Sequence, residues 1–146
     1  MDFPEGTDDL AIELYMIGRG GSWKSQDGLR TIGEGIYAHS FRADRLLWPE
    51  DDIHRWDTLC LKTISETQIT TLMGASDSGK TYRGSKWALL EYWGAPLDTL
   101  VVVSSTDLRG LELRVWGTIK DLFNRARDRY PWLAGNPLEA MHCITT

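Results

Sequence analysis

Long apolar runs are missing from this chain. No stretch approaches the roughly 20 residues that a membrane-spanning helix needs, so a transmembrane segment is excluded from the expected architecture and no membrane partner is expected. Cysteine is scarce: Cys60 and Cys143 show neither metal-ligand spacing nor a disulfide framework, and each is expected to act as a small buried hydrophobe. His39, His54 and His142 are equally scattered. Basic charge is not in excess either. The net charge of -5 argues against a surface that grips nucleic acid by bulk electrostatics. The acidic opening MDFPEGTDD lacks the basic and apolar regions of a secretory signal, so a cytoplasmic location is expected, in the host cell if the protein is viral. Internal repeats and low-complexity tracts are absent.

What the chain does have is 146 residues, 42% apolar and 25% charged, the composition of one globular domain or part of one. Its most informative segment is Ile69-Thr70-Thr71-Leu72-Met73 running into Gly74-Ala75-Ser76-Asp77-Ser78-Gly79-Lys80-Thr81, a full match to the phosphate-binding pattern G-x-x-x-x-G-K-[ST]. Gly74 and Gly79 allow backbone conformations that turn successive amides toward an anion, and Ala75, Ser76, Asp77 and Ser78 lend further amides. Lys80 supplies the charge that reaches the β- and γ-phosphates and carries the catalytic role. The Thr81 hydroxyl is the expected Mg2+ ligand, which makes ATP and Mg2+ the expected cofactors. A helix starting near Lys80 would aim its positive end at the same phosphates.

Context separates this match from coincidence. Ile69–Met73 is short and apolar, as suits a strand buried in a parallel sheet, and Lys80–Trp93 reads as a helix stopped by Gly94 with Pro96 beyond. A second near-match at Gly18-Arg19-Gly20-Gly21-Ser22-Trp23-Lys24-Ser25 fails because Trp23 stands where a glycine must precede the lysine; it reads as a loop. Residues 1–40 read as a partly irregular appendage with a short helix capped by Thr7, and residues 41–146 as an incomplete P-loop ATPase domain. Within the second part, Ile53, Trp56, Leu59, Cys60 and Ile64 recur at helical spacing, and Thr99–Ser104 is an apolar run suited to a second parallel strand. A long amphipathic helix follows, with Leu111, Val115, Trp116, Ile119, Leu122, Phe123 and Ala126 on one face. Ala140–Thr146 could begin a third strand. The expected fold is therefore α/β: the front half of a P-loop NTPase parallel sheet with flanking helices, preceded by a helical or irregular amino-terminal segment. No apolar strand after the loop ends in the acid that organises magnesium for hydrolysis. Asp107 lies too far past Val103, so hydrolysis is either completed by residues after Thr146 or does not occur.

Basic residues concentrate late in the chain, at Arg109, Arg114, Lys120, Arg125, Arg127 and Arg129. Acids are interleaved with them, which reads as a solvated helix face with pairs such as Asp121 and Arg125. From about Arg42 to Thr146, the order LLWPEDDIHRWDTL, ITTLMGASDSGKT and TLVVVSSTDLRGLELRVWGTIKDLF resembles the amino-terminal ATPase region of the large terminase subunits of tailed bacteriophages, members of the P-loop NTPase superfamily that package DNA. That resemblance implies double-stranded DNA, a portal protein and a small terminase subunit as partners, and a homo-oligomeric ring. It also places Trp48 and Pro49 where such motors approach the adenine ring. The chain departs from the family in having no arginine inside the phosphate loop and no glutamine near the adenine position. Trp48 and Trp56 read more readily as core residues, Arg83 as a solvated helix residue, and Thr106, Asp107 and Arg109 as surface loop residues in preference to a DNA-contacting or coupling segment. The functional alternatives are another P-loop NTPase, helicase-like or a kinase, and a truncated nucleotide-binding or assembly module without catalysis.

Overall fold

Short amphipathic stretches punctuated by turn residues build a largely helical molecule. The computed structural model describes residues 3–20, 36–74 and 79–146. Helix α1 is Asp9–Gly20, and the Asp8 carboxylate accepts the Leu10 N–H at 2.8 Å, satisfying one of the amides a first turn leaves open. Thr7, the expected cap, instead donates its hydroxyl to the Pro4 carbonyl at 2.6 Å. Helix α2 spans Ile36–Leu47 and α3 spans Arg55–Glu66. A reciprocal cap opens α3: the Trp56 N–H donates to His54 Nδ1 at 3.2 Å, and the His54 N–H donates to the Asp57 carboxylate at 2.9 Å. Helix α4, Lys80–Gly94, follows the sequence reading and closes with the Ala95 N–H on the Tyr92 carbonyl.

The long helix after Pro96 opens as Leu108–Gly110, winds as a π-helix over Leu111–Trp116 and continues as α5, Gly117–Arg129. Its start is capped by Asp107, whose carboxylate accepts the Arg109 and Gly110 N–H groups at 3.1 and 3.2 Å. Strands β1, Asn136–Leu138, and β2, Cys143–Thr145, then pair antiparallel, with Pro137 opposite Ile144.

The core lies where these helices meet. Leu10, Leu14 and Ile17 recur on one face of α1 and are buried against α2 and α4, so this first helix is part of the packed body. Trp93 of α4 stands at the centre. Its ring lies 5.7 Å from Phe123 and 6.2 Å from Trp48, and its indole N–H donates to the Ala134 carbonyl at 3.0 Å. Trp48 donates likewise to Leu122 O at 3.0 Å, so two large rings are buried without orphaning their polar atoms. On α3 the buried positions are Leu61 and Ser65, whereas Trp56 and Leu59 are about half exposed.

The expected parallel sheet is not formed. Neither Ile69–Met73 nor Thr99–Ser104 joins a ladder among the described residues, whose one sheet is the antiparallel β1–β2 pair. The third strand read in Ala140–Thr146 is present only as β2, and it folds back on its own neighbour. The reason is physical. A parallel strand needs a laddered neighbour and cover on both faces, yet Ile69 is 87%, Met73 91% and Leu100 86% exposed. The helices that would cover such a sheet pack their apolar stripes against one another around Trp93.

Helices α1 and α4 approach backbone to backbone. A Cβ on Gly18 would fall 1.9 Å from the Gly94 carbonyl oxygen, whereas one on Gly84 would meet nothing within 4 Å. Gly84→Ala should therefore raise stability by about 0.5–1 kcal/mol through helix propensity. Gly18→Ala should lower it by about 1–3 kcal/mol through overpacking. Urea unfolding followed by circular dichroism measures both, and equal responses would contradict the close crossing.

Candidate functional site

The phosphate-loop sequence leads directly into a helix, and the structure shows how that junction is built. Gly79 has φ of 80°, the left-handed conformation that glycine adopts without a side-chain penalty, and α4 begins at the next residue. The first amides of α4 therefore point back past Gly79, toward the amino-terminal end of the helix. The Lys80 ammonium reaches back to donate to the Gly74 carbonyl at 2.5 Å, so the two ends of the loop are tied by its lysine. Ala75, Ser76, Asp77 and Ser78 lie outside the described residues, as do residues 21–25 of the glycine-rich near-match. Thr81 is exposed on the first turn.

Arg83, which the sequence suggested was simply solvated, folds against this junction. A Cβ at Gly79 would collide with its guanidinium, and the same group forms an ion pair with Asp57 of α3. One sequence signal could have found it: position 83 is four residues beyond Gly79, one turn along the helix from the loop's end. Beside the junction lies a cavity of about 230 Å3, with Tyr82 and Arg83 on one wall and Asp52, Ile53, Asp57 and Leu61 on the others.

A network of charges holds the far wall. Trp48 and Asp51 form a turn closed by the Asp51 N–H on Trp48 O, and the Arg45 guanidinium bolts it by donating to Pro49 O and Asp51 O at 3.0 and 2.9 Å. The Asp51 carboxylate then receives Tyr82 Oη at 2.5 Å, Lys86 Nζ at 2.7 Å and Arg125 Nη2 at 2.8 Å. Lys86 is buried and also meets Asp44 at 2.9 Å, with its ammonium 5.1 Å from the centres of both the Trp48 and Tyr82 rings. Arg125 extends the network to Glu50. Burial pushes the Asp51 carboxyl up, but the hydrogen bonds from Lys86, Tyr82 and Arg125 outweigh it and hold the group at about 2, below its ordinary 3.8. Burial and the bond to Asp51 push the Tyr82 hydroxyl up to about 12.

The structure separates the residues suggested for the adenine. Trp48 is fully buried between Trp93 and Lys86, with its N–H occupied, so its ring belongs to the core; Pro49 is exposed on the turn. Asp107 is engaged as a helix cap, and Arg125 contacts Glu50 and Asp51 more closely than Asp121. Cys60 and Cys143 are half-buried. Among the described residues no group of three His, Cys, Asp or Glu side chains could hold a metal ion, and no helix is long and apolar enough to cross a membrane. Set against protein-family models, curated proteins and solved structures, the chain matches none.

The lowered Asp51 pKa sets a pH dependence. Between its folded value of about 2 and the ordinary 3.8, the unfolded chain binds more protons. The stability this carboxylate contributes is therefore complete above pH 3.8 and is lost as pH falls toward 2. Asp51→Asn should lower stability at pH 7 by about 1–3 kcal/mol and flatten the decline between pH 5 and 2. Urea titrations across that range test it, and parallel curves for parent and variant would contradict it.

Proposed function

We propose that this chain binds ATP with Mg2+ at the loop from Gly74 to Thr81, as the nucleotide-binding portion of a viral DNA-packaging motor of the terminase kind. The observation that carries the nucleotide reading is the junction itself: a left-handed Gly79, a helix starting at Lys80, and a lysine ammonium returning across the loop to Gly74. An anion between these ends would meet helix amides, the Lys80 charge and the nearby Arg83 guanidinium. A triphosphate would exchange the Gly74 carbonyl for phosphate oxygens as the ammonium's partner. This reading rests on the loop and its helix, not on a parallel sheet.

The cavity beside Tyr82 and Arg83 suits the nucleoside end. Its walls combine Ile53, Leu61 and the Tyr82 ring with the Asp52 and Asp57 carboxylates, which accept hydrogen bonds from amino and hydroxyl groups and repel phosphate. Mg2+ would be held by the phosphates themselves and by the exposed Thr81 hydroxyl. The motor assignment, and with it double-stranded DNA, a portal protein, a small terminase subunit and a homo-oligomeric ring as partners, is supported by the resemblance of the 42–146 sequence. Hydrolysis would need an acid supplied from outside this chain.

Lys80→Ala tests the nucleotide reading. Calorimetric titration with Mg-ATP should show affinity reduced by at least about tenfold, with the circular dichroism spectrum unchanged. Equal affinity in parent and variant would remove the reading.

A further inference from the structure

A second cavity, of about 490 Å3, shares no lining residue with the one beside the phosphate loop. Segment 99–103 forms one wall and β2 another, while the π-helix and α4 provide Trp116, Val115 and Leu89. Two features of the first wall are unusual together. Leu100-Val101-Val102-Val103 is β-branched at three positions, a composition suited to a strand, and Leu100 through Ser104 make no backbone hydrogen bond among the described residues. Val101 and Val103 line the cavity while Val102 is 76% exposed, so apolar side chains are offered inside and outside the trough.

The opposite wall is also incomplete. Among the described residues, β2 is paired with β1 along one edge only. The trough is closed at one end, where Thr146 Oγ1 lies 2.8 Å from Tyr92 Oη and donates to Pro96 O at 3.2 Å, tying the end of β2 to the turn from which segment 99–104 departs. The lining carries one carboxylate and no lysine or arginine. Glu112 is the acidic group in the lining; its neighbour His142 stands 3.7 Å away and is charged only when protonated. Glu139 lies outside the lining, where it pairs with Lys120 and accepts the Trp116 indole N–H.

We propose that this trough is the docking site for an apolar, β-branched strand of a partner protein, carrying one basic residue that meets Glu112. The strand would ladder onto the open backbone of Leu100–Ser104 and the free edge of β2, giving both the hydrogen bonds they lack. Its apolar residues would fill the trough beside Trp116. A basic side chain is selected because Glu112 is the carboxylate of the lining and, among the described residues, faces His142 rather than a lysine or arginine; an acidic one would be repelled. A second copy of the chain fits less well, because segment 99–104 contains no basic residue to offer Glu112.

The probe is the labelled peptide acetyl-Lys-Val-Thr-Val-Thr-Val-amide, titrated against the full chain by fluorescence anisotropy. Saturable binding is expected, weakened about tenfold when the peptide's lysine is replaced by aspartate, and Glu112→Gln should abolish that discrimination. Val102→Pro removes one backbone donor without altering the cavity lining, and it lies outside every helix and ladder, so the fold should persist. It should weaken the peptide by about tenfold. No binding by the parent chain overturns the proposal, as does binding unaffected by Val102→Pro, which would reduce the trough to a greasy cavity. Sedimentation velocity supplies the last arm: dimers that Val102→Pro disperses would make a second copy the occupant and overturn the partner strand.

Discussion

A lysine ammonium enclosed by protein sets the terms for the rest of this structure. Lys86 is buried on α4, and removing it from water is tolerable only because Asp44 and Asp51 flank it and two aromatic faces lie beside it. Those partners come from different places: Asp44 from α2, Asp51 from the turn after it, Trp48 from the same turn, Tyr82 from the first turn of α4. Satisfying one cation therefore fixes α2, the following turn and α4 relative to one another. Arg125 brings α5 into the same arrangement through Asp51 and Glu50. The apolar stack of Trp48, Trp93 and Phe123 lies directly beneath.

The same arrangement connects the candidate nucleotide site to the body of the protein. Tyr82 follows Thr81 immediately, and its hydroxyl is held by Asp51 and Arg125. The start of α4, on which the loop depends, is therefore anchored by polar contacts one residue from the proposed Mg2+ ligand. Arg83 is held in turn by Asp57 from the opening turn of α3. The proposed phosphate site thus draws on two helices and a turn, although its sequence signature is confined to eight consecutive residues.

How much of this was legible in the sequence follows from the range of each interaction. Helix α4 was readable from Lys80 to Trp93, one residue short of its end, because glycine ends and good helix formers act locally. The long helix after Pro96 was readable for the same reason, although its π-helical stretch was not. The strands were misread because apolar, β-branched composition marks what a segment could do with a neighbour, and pairing is decided by what the rest of the chain brings alongside. Trp48 was ambiguous between core and ligand contact because both uses favour the same ring; only its bond to Leu122 O, across the molecule, resolves it. Asp51, Tyr82, Lys86 and Arg125 carry no motif at all. Their grouping depends on separations of 31 to 74 residues along the chain, which no local pattern reports.

The π-helical turn at Leu111–Trp116 changes what one rod of residues can do. Each such widening inserts a position into the helical repeat and rotates everything upstream relative to everything downstream by about 100°. Leu111, Val115, Trp116 and, past the π-helical stretch, Ile119 line the 490 Å3 cavity, while Leu122, Phe123 and Ala126 of the same rod face the tryptophan stack. One continuous element thus serves two separate compartments.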